Sequence, residues 1–185
     1  MKTLNIITLI LVILIVLIAI IIIMLKYFNE KIDNINYKLS NSENEYYEKI
    51  KNKYNIIIKL MKLIQDKYKV ESKIFEDVKK LDENELQSLK SDKLLNKCYT
   101  ELIEIKEDHQ KKRELKCFRE TIDEYEDNET HIISLRTYYN KYVLEYNNLI
   151  KKFPYNIISK TKKLKLKTIL EGKELDINLN NDLEV

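Results

Sequence analysis

The chain opens with an apolar run over residues 4–25, bounded by Leu4 and Leu25, in which Asn5 and Thr8 are the only polar side chains. As a helix such a run is about 33 Å long, which matches a bilayer hydrocarbon core of roughly 30 Å. It predicts a transmembrane signal-anchor over residues 1–26. A cleaved secretory signal has a shorter apolar core and ends in small residues. Here the run leads into Met24-Leu25-Lys26-Tyr27-Phe28 with no such site, and the cysteines, Cys98 and Cys117, are too distant for lipidation. The segment is therefore expected to stay on the protein.

Past the run, Phe28, Ile32, Ile35 and Leu39 recur at spacings of four, three and four, so the anchor helix is expected to continue out of the membrane. Ser42, followed three residues later by Glu45, reads as a capping box and marks a candidate interruption, with an unbroken helix as the alternative. Tyr47, Ile50, Tyr54, Ile57, Met61, Ile64 and Tyr68 then form a seam of coiled-coil type, which the spacing carries on through Glu71, Phe75 and Val78. After a turn at residues 82–84, a second helix is expected to carry Leu86, Leu89, Leu95, Cys98, Leu102 and Ile105. The polar stretch 107–114 reads as a reversal. Leu115, Phe118, Ile122 and Tyr125 predict a shorter helix closed at residues 127–130. Ile132, Leu135, Tyr139, Tyr142, Tyr146, Leu149 and Phe153 predict a long one, ended by Pro154. Residues 157–170 could form one more helix, and 172–185 read as a disordered acidic tail.

Composition narrows the class. With one Gly and one Pro in 185 residues, hairpin turns and helix breakers are nearly absent, which predicts an all-α body. Charged residues make up 34% of the chain against a net charge of +3, so the charge is interspersed on solvated helix faces and no nucleic-acid partner is expected. Lys26, Lys31 and Lys38 after the run outweigh Lys2 and the amino terminus before it, which predicts a cytoplasmic body by the positive-inside rule. The two cysteines suit either side, as free thiols or as one disulfide.

The run Arg136-Thr137-Tyr138-Tyr139-Asn140, with Val143, Tyr146-Asn147, Ile150, Phe153-Pro154, Asn156 and Ile158, resembles the carboxy-terminal signature of the LemA family of bacterial membrane proteins. Glu129 and Ile132 fit the positions before it, and Ile169-Leu170-Glu171 fits that family's ending. Lys53-Tyr54-Asn55-Ile56-Ile57 is similar to its basic-Tyr-Asp-Leu-Ile segment. Ile58 stands where the family usually has proline, and Lys163-Leu164 where it tends to have Gly-Phe. The resemblance implies an antiparallel bundle of long helices over residues 27–171 behind one membrane span. It carries no catalytic residue and no cofactor.

Spacing argues against the commoner chemistries. A di-iron bundle uses Glu-x-x-His on two helices, but Lys106 and Asn128 precede His109 and His131 by three. The cysteines are too far apart for a Cys-x-x-Cys metal site, and one glycine cannot build a phosphate-cradling loop. Tyr139, Tyr146 and Phe153 lie seven apart on the core stripe with Asn140 and Asn147 at its edge, a pattern that packing alone accounts for. Two features remain. Glu71 and Arg136 form a candidate buried ion pair, because a carboxylate in a seam needs a partner. Lys160, Lys162, Lys163, Lys165 and Lys167, interleaved with apolar residues, form a candidate basic patch for anionic lipid, with a solvated lysine-rich helix as the alternative. The expected role is non-catalytic: a scaffold or adaptor for membrane or envelope proteins at the lipid bilayer. The rival is a membrane-tethered enzyme or metal-binding protein.

Overall fold

The computed structural model describes residues 2–82, 85–87, 89–109 and 116–172, and among these it is all-helical. Helix α1 spans Lys2–Tyr68, α2 Lys73–Lys79, a 3-10 turn Glu85–Gln87, α3 Leu89–Asp108, α4 Lys116–Lys151 and α5 Tyr155–Thr161. The expected tail beyond Gly172, most of the expected turn at 82–84 and most of the expected reversal at 107–114 lie outside the described residues.

Helix α1 passes through residues 41–44 without a break. Ser42 is buried there and faces inward, so it does not cap a new helix. Buried positions of α1 recur at 28, 32, 35, 39, 42, 46, 50, 53, 57, 60 and 64, apolar except for Ser42 and Lys53. The helix stops at Tyr68, where the sequence pattern predicted continuation. Lys69 adopts the left-handed conformation (φ 58°) and its N–H donates to the Gln65 carbonyl at 3.0 Å, an αL cap built without glycine. Ser72 then caps α2, accepting from the Ile74 N–H at 3.3 Å.

Helix α4 is likewise one helix where two were expected. Asn128, at the predicted break, is buried and donates its side-chain amide to the Lys49 carbonyl at 3.0 Å. Its inward positions include Phe118, Thr121, Tyr125, Asn128, Ile132, Arg136, Tyr139, Val143 and Tyr146. The helix ends at Lys151, and the Phe153–Pro154 peptide is cis. Phe153, expected on the core stripe, is 74% exposed because the helical period no longer holds there.

The chain divides into two compact units, and the long helices contribute to both. One unit holds residues up to 40 together with 141–168. Its core contains Phe28, Ile32, Ile35 and Leu39 of α1 and Val143, Tyr146, Leu149 and Ile150 of α4. Contacts of Lys38 with Tyr142 and of Lys31 with Glu145 run in opposite senses, so the two helices are antiparallel within it. Helix α5 is short. It closes in a Schellman motif, with Lys163 N–H on Lys160 O at 3.1 Å and Leu164 N–H on Ser159 O at 3.0 Å, and Lys163 is left-handed (φ 53°). Residues 164–170 therefore lie in no regular element, correcting the expected helix over 157–170.

The second unit holds 41–140 and the chain from 169 on. Within it α4 lies antiparallel to α1, as the pairs Lys59–Glu124 and Lys53–Glu129 require. Helix α3 runs in the same sense as α1, with Tyr68 against His109 at one end. Its core contains Tyr46, Ile50, Ile57, Leu60, Met61 and Ile64 of α1, Leu95, Cys98 and Leu102 of α3 and Ile132 of α4. Burying each large side chain contributes about 1.5–3 kcal/mol.

Candidate functional site

The polar centre of the second unit is a buried charge network. Lys53 occupies a seam position of α1 between Ile50 and Ile57, which forces its side chain inward, and it is 0% exposed. A bare ammonium there would be prohibitively costly. All three of its donors are directed to acceptors: Asp92 Oδ1 at 2.7 Å, Asn96 Oδ1 at 2.7 Å and Glu129 Oε2 at 2.6 Å. Asp92 and Asn96 lie one helical turn apart on α3, while Tyr125 and Glu129 do so on α4, so two i, i+4 pairs flank the lysine.

Asp92 also reaches a second cation. Arg136, 1% exposed, donates from Nη2 to Asp92 Oδ2 at 2.9 Å and to the Tyr46 hydroxyl at 3.4 Å. Its guanidinium carbon is 5.6 Å from the Tyr46 ring centroid. Two cations thus face two carboxylates, and Asp92 bridges both. The Tyr125 hydroxyl donates to Asn96 Oδ1 at 3.0 Å, and its ring stacks on Tyr99 at 3.7 Å. Burial pushes the Tyr125 hydroxyl well above the usual phenol range, with the Glu129 charge adding to it. Burial raises Tyr46 as well, opposed by its hydrogen bond from Arg136. Both therefore remain neutral at physiological pH.

Beside the network opens a cleft of about 520 Å³, lined by Asp92, Asn96, Tyr99, Tyr125, Glu129 and Arg136, among others. Gly172 lies at this site with φ 137°, and a Cβ there would come within 2.6 Å of the Arg136 guanidinium carbon. The chain's one glycine is thus set where only glycine allows backbone to pass over the arginine.

The expected partner of Arg136 is corrected. Glu71 is exposed, because α1 ends before it and the seam that would have turned it inward stops at Tyr68. Arg136 takes Asp92 in its place. Sequence reasoning passed over Lys53 and Asp92. The usable signal was Lys53 sitting three after Ile50 and four before Ile57, and Asp92 three before Leu95, two opposite charges on the apolar faces of different helices.

Asn140 and Asn147, placed at the stripe's edge, hold backbone that lies outside the helices. In the second unit Asn140 donates to the Leu170 carbonyl and accepts from the Leu170 N–H, both at 2.8 Å. In the first unit Asn147 does the same with Lys167, both at 2.9 Å.

Of the expected basic patch, Lys160, Lys162, Lys163 and Lys165 are exposed. Lys162 donates to Asn29 Oδ1, while Lys167 is half-buried with its ammonium 5.3 Å from the Tyr146 ring centroid. Both cysteines are free, Cys98 buried and Cys117 exposed. Among the described residues no three or more His, Cys, Asp and Glu side chains converge in a way that could hold a metal ion.

The segments that carry the family resemblance, around Lys53 and from Glu129 to Asn147, converge on this network and on the amide clamps. The LemA family model matches residues 43–180. The chain belongs to the LemA family. Comparison with curated proteins and with solved structures finds no match. The LemA match begins after the membrane-length run, and helix α1 joins the two: it has a window long and apolar enough to cross a membrane, none of it buried against the rest of the chain.

Proposed function

We propose that this LemA protein is a single-pass membrane protein whose helical body is cytoplasmic and acts by contact, as a scaffold or adaptor for other membrane or envelope proteins. The observation that carries the reading is the internal satisfaction of its polar centre. The ammonium of Lys53 spends its three donors on Asp92, Asn96 and Glu129, and Asp92 is shared with Arg136. A catalytic lysine needs a lone pair and access to substrate, and this one is engaged as a buried cation that fixes the register of three helices. The uncovered apolar residues of α1, from Ile6 to Ile23, support a tether in lipid.

The test is photo-crosslinking of the full chain in intact cells from the exposed positions Tyr37 and Leu144. The reading expects the same membrane or envelope proteins to be captured repeatedly. Capture of lipid alone would overturn the adaptor role. The rival reading, a tethered enzyme or metal-binding protein, has one observation in its favour, the cleft beside Asn96, Tyr99 and Tyr125. A ligand-dependent rise in melting temperature, or stoichiometric metal in the purified chain, would establish it.

A further inference from the structure

The turn that joins α4 to α5 presents an unusual surface. Phe153 is 74% and Ile157 59% exposed, and Lys151, Lys152 and Lys160 around them are exposed too. Within the same unit the inward side of α5 is well held: Ile158 and Ser159 are buried, and Tyr155 stacks on Phe28 with centroids 5.2 Å apart. Lys162 donates to Asn29 Oδ1. These contacts fix the turn beside Phe28 and Asn29, the first turn of α1 after the apolar run ends at Leu25.

Phe28 is only about 4.5 Å along the helix axis beyond Leu25. The headgroup layer on each side of a bilayer is roughly 5–8 Å deep. If the run fills the hydrocarbon core, the turn lies within the headgroups. Apolar side chains flanked by lysines suit that depth, the rings and aliphatic groups reaching acyl chains while the ammonium groups meet phosphate.

We propose that the α4–α5 turn is a second membrane contact, in which Phe153 and Ile157 insert into the leaflet beside the anchor and Lys151, Lys152 and Lys160 bind anionic headgroups. It rests on the tether reading above and on no protein partner. Each lysine held at an anionic surface is worth about a fivefold change in partition, so the contact depends on lipid charge and weakens in salt. The contact would give the body a fixed attitude to the membrane, which one helix alone cannot impose.

The chain contains no tryptophan, so a single one reports cleanly. The full chain would be reconstituted into phosphatidylcholine vesicles, with and without phosphatidylglycerol, as the variants Ile15→Trp, Tyr37→Trp, Phe153→Trp and Ile157→Trp. Quenching by brominated lipid reads depth. Tyr37 is about 18 Å beyond Leu25 along α1 and serves as the aqueous reference. The expected result is strong quenching at Ile15, and quenching at Phe153 and Ile157 that exceeds Tyr37, rises with phosphatidylglycerol and falls in salt or with Lys151→Glu, Lys152→Glu and Lys160→Glu combined. Quenching at Ile15 with Phe153 and Ile157 matching Tyr37 would overturn the contact and leave the tether standing. Quenching at Phe153 indifferent to lipid charge would overturn the role of the lysines. No quenching at Ile15 would remove the tether and the contact together.

Discussion

Replacing Asp92 by Asn removes one charge and almost no volume, yet it acts on two buried cations at once. The amide oxygen can still accept from Lys53, but the amide nitrogen then faces Arg136 Nη2, which donates to Asp92 Oδ2 at 2.9 Å, so donor meets donor. Lys53 and Arg136 are left with Glu129 as the network's one remaining carboxylate. Breaking a buried ion pair from one side costs about 3–5 kcal/mol. For a chain of this size 1 kcal/mol moves the melting temperature by about 2–4 °C, so Asp92→Asn should lower it by roughly 6–20 °C. Glu129 is at the rim, with its side chain 21% exposed. Glu129→Gln should therefore cost only about 1–2 kcal/mol. An apolar replacement of the centre, Lys53→Met with Asp92→Leu and Arg136→Met, should return to within about 1 kcal/mol of the parent or exceed it. Urea and thermal unfolding of the full chain in detergent, followed by far-ultraviolet circular dichroism, measures all three. An Asp92→Asn variant within about 0.5 kcal/mol of the parent, the range of ordinary surface substitutions, would refute the argument.

Three further outcomes are expected. Asn140→Ala should expose the Leu170 amide to hydrogen exchange while leaving Lys167 protected, and Asn147→Ala the reverse; the first should cost about 2–3 kcal/mol for two buried hydrogen bonds, and equal exchange at both sites in either variant counts against the clamps. Lys163→Gly should stabilise the chain by about 1 kcal/mol, seen as a higher melting temperature, because Lys163 holds the left-handed position of a Schellman motif. Burial, with the Glu101 charge behind it, pushes the Cys98 thiol up to about 12, so it keeps its proton in the folded chain after the unfolded thiol, near 8.5, has lost it. Stability should then fall as pH rises from about 9 towards 12, by up to roughly 1.4 kcal/mol per unit for this group, and melting curves of Cys98→Ala should show a shallower fall.

The sequence pattern carried the helical class, the apolar run and most seam positions, because a three-four repeat survives any choice of polar residue. It misplaced helix ends for one physical reason. The ends of α1 and α5 are left-handed turns at Lys69 and Lys163, where glycine would have announced them. The resemblance held the clue at the second, since the family tends to have Gly-Phe at Lys163-Leu164. The opposite error, a break drawn at residues 127–130, came from reading Asn128 as a cap when its amide is spent on the Lys49 carbonyl. The charge centre was legible only in part. Arg136 stood out, but its partner lies on another helix, and sequence spacing along one helix says nothing of which carboxylate comes across from the next.

Each asparagine clamp holds its residue, Leu170 in one unit and Lys167 in the other, through the peptide N–H and carbonyl. Lys165, Leu166, Thr168 and Ile169 are exposed, so their identities are unconstrained by the grip. Such grips tolerate many side chains at the exposed positions, while the buried Leu170 and the Lys167 ammonium over the Tyr146 ring are held by their side chains as well. Among relatives, the two amides and the helix that bears them should therefore vary less than the exposed positions 165, 166, 168 and 169 of the chain they hold.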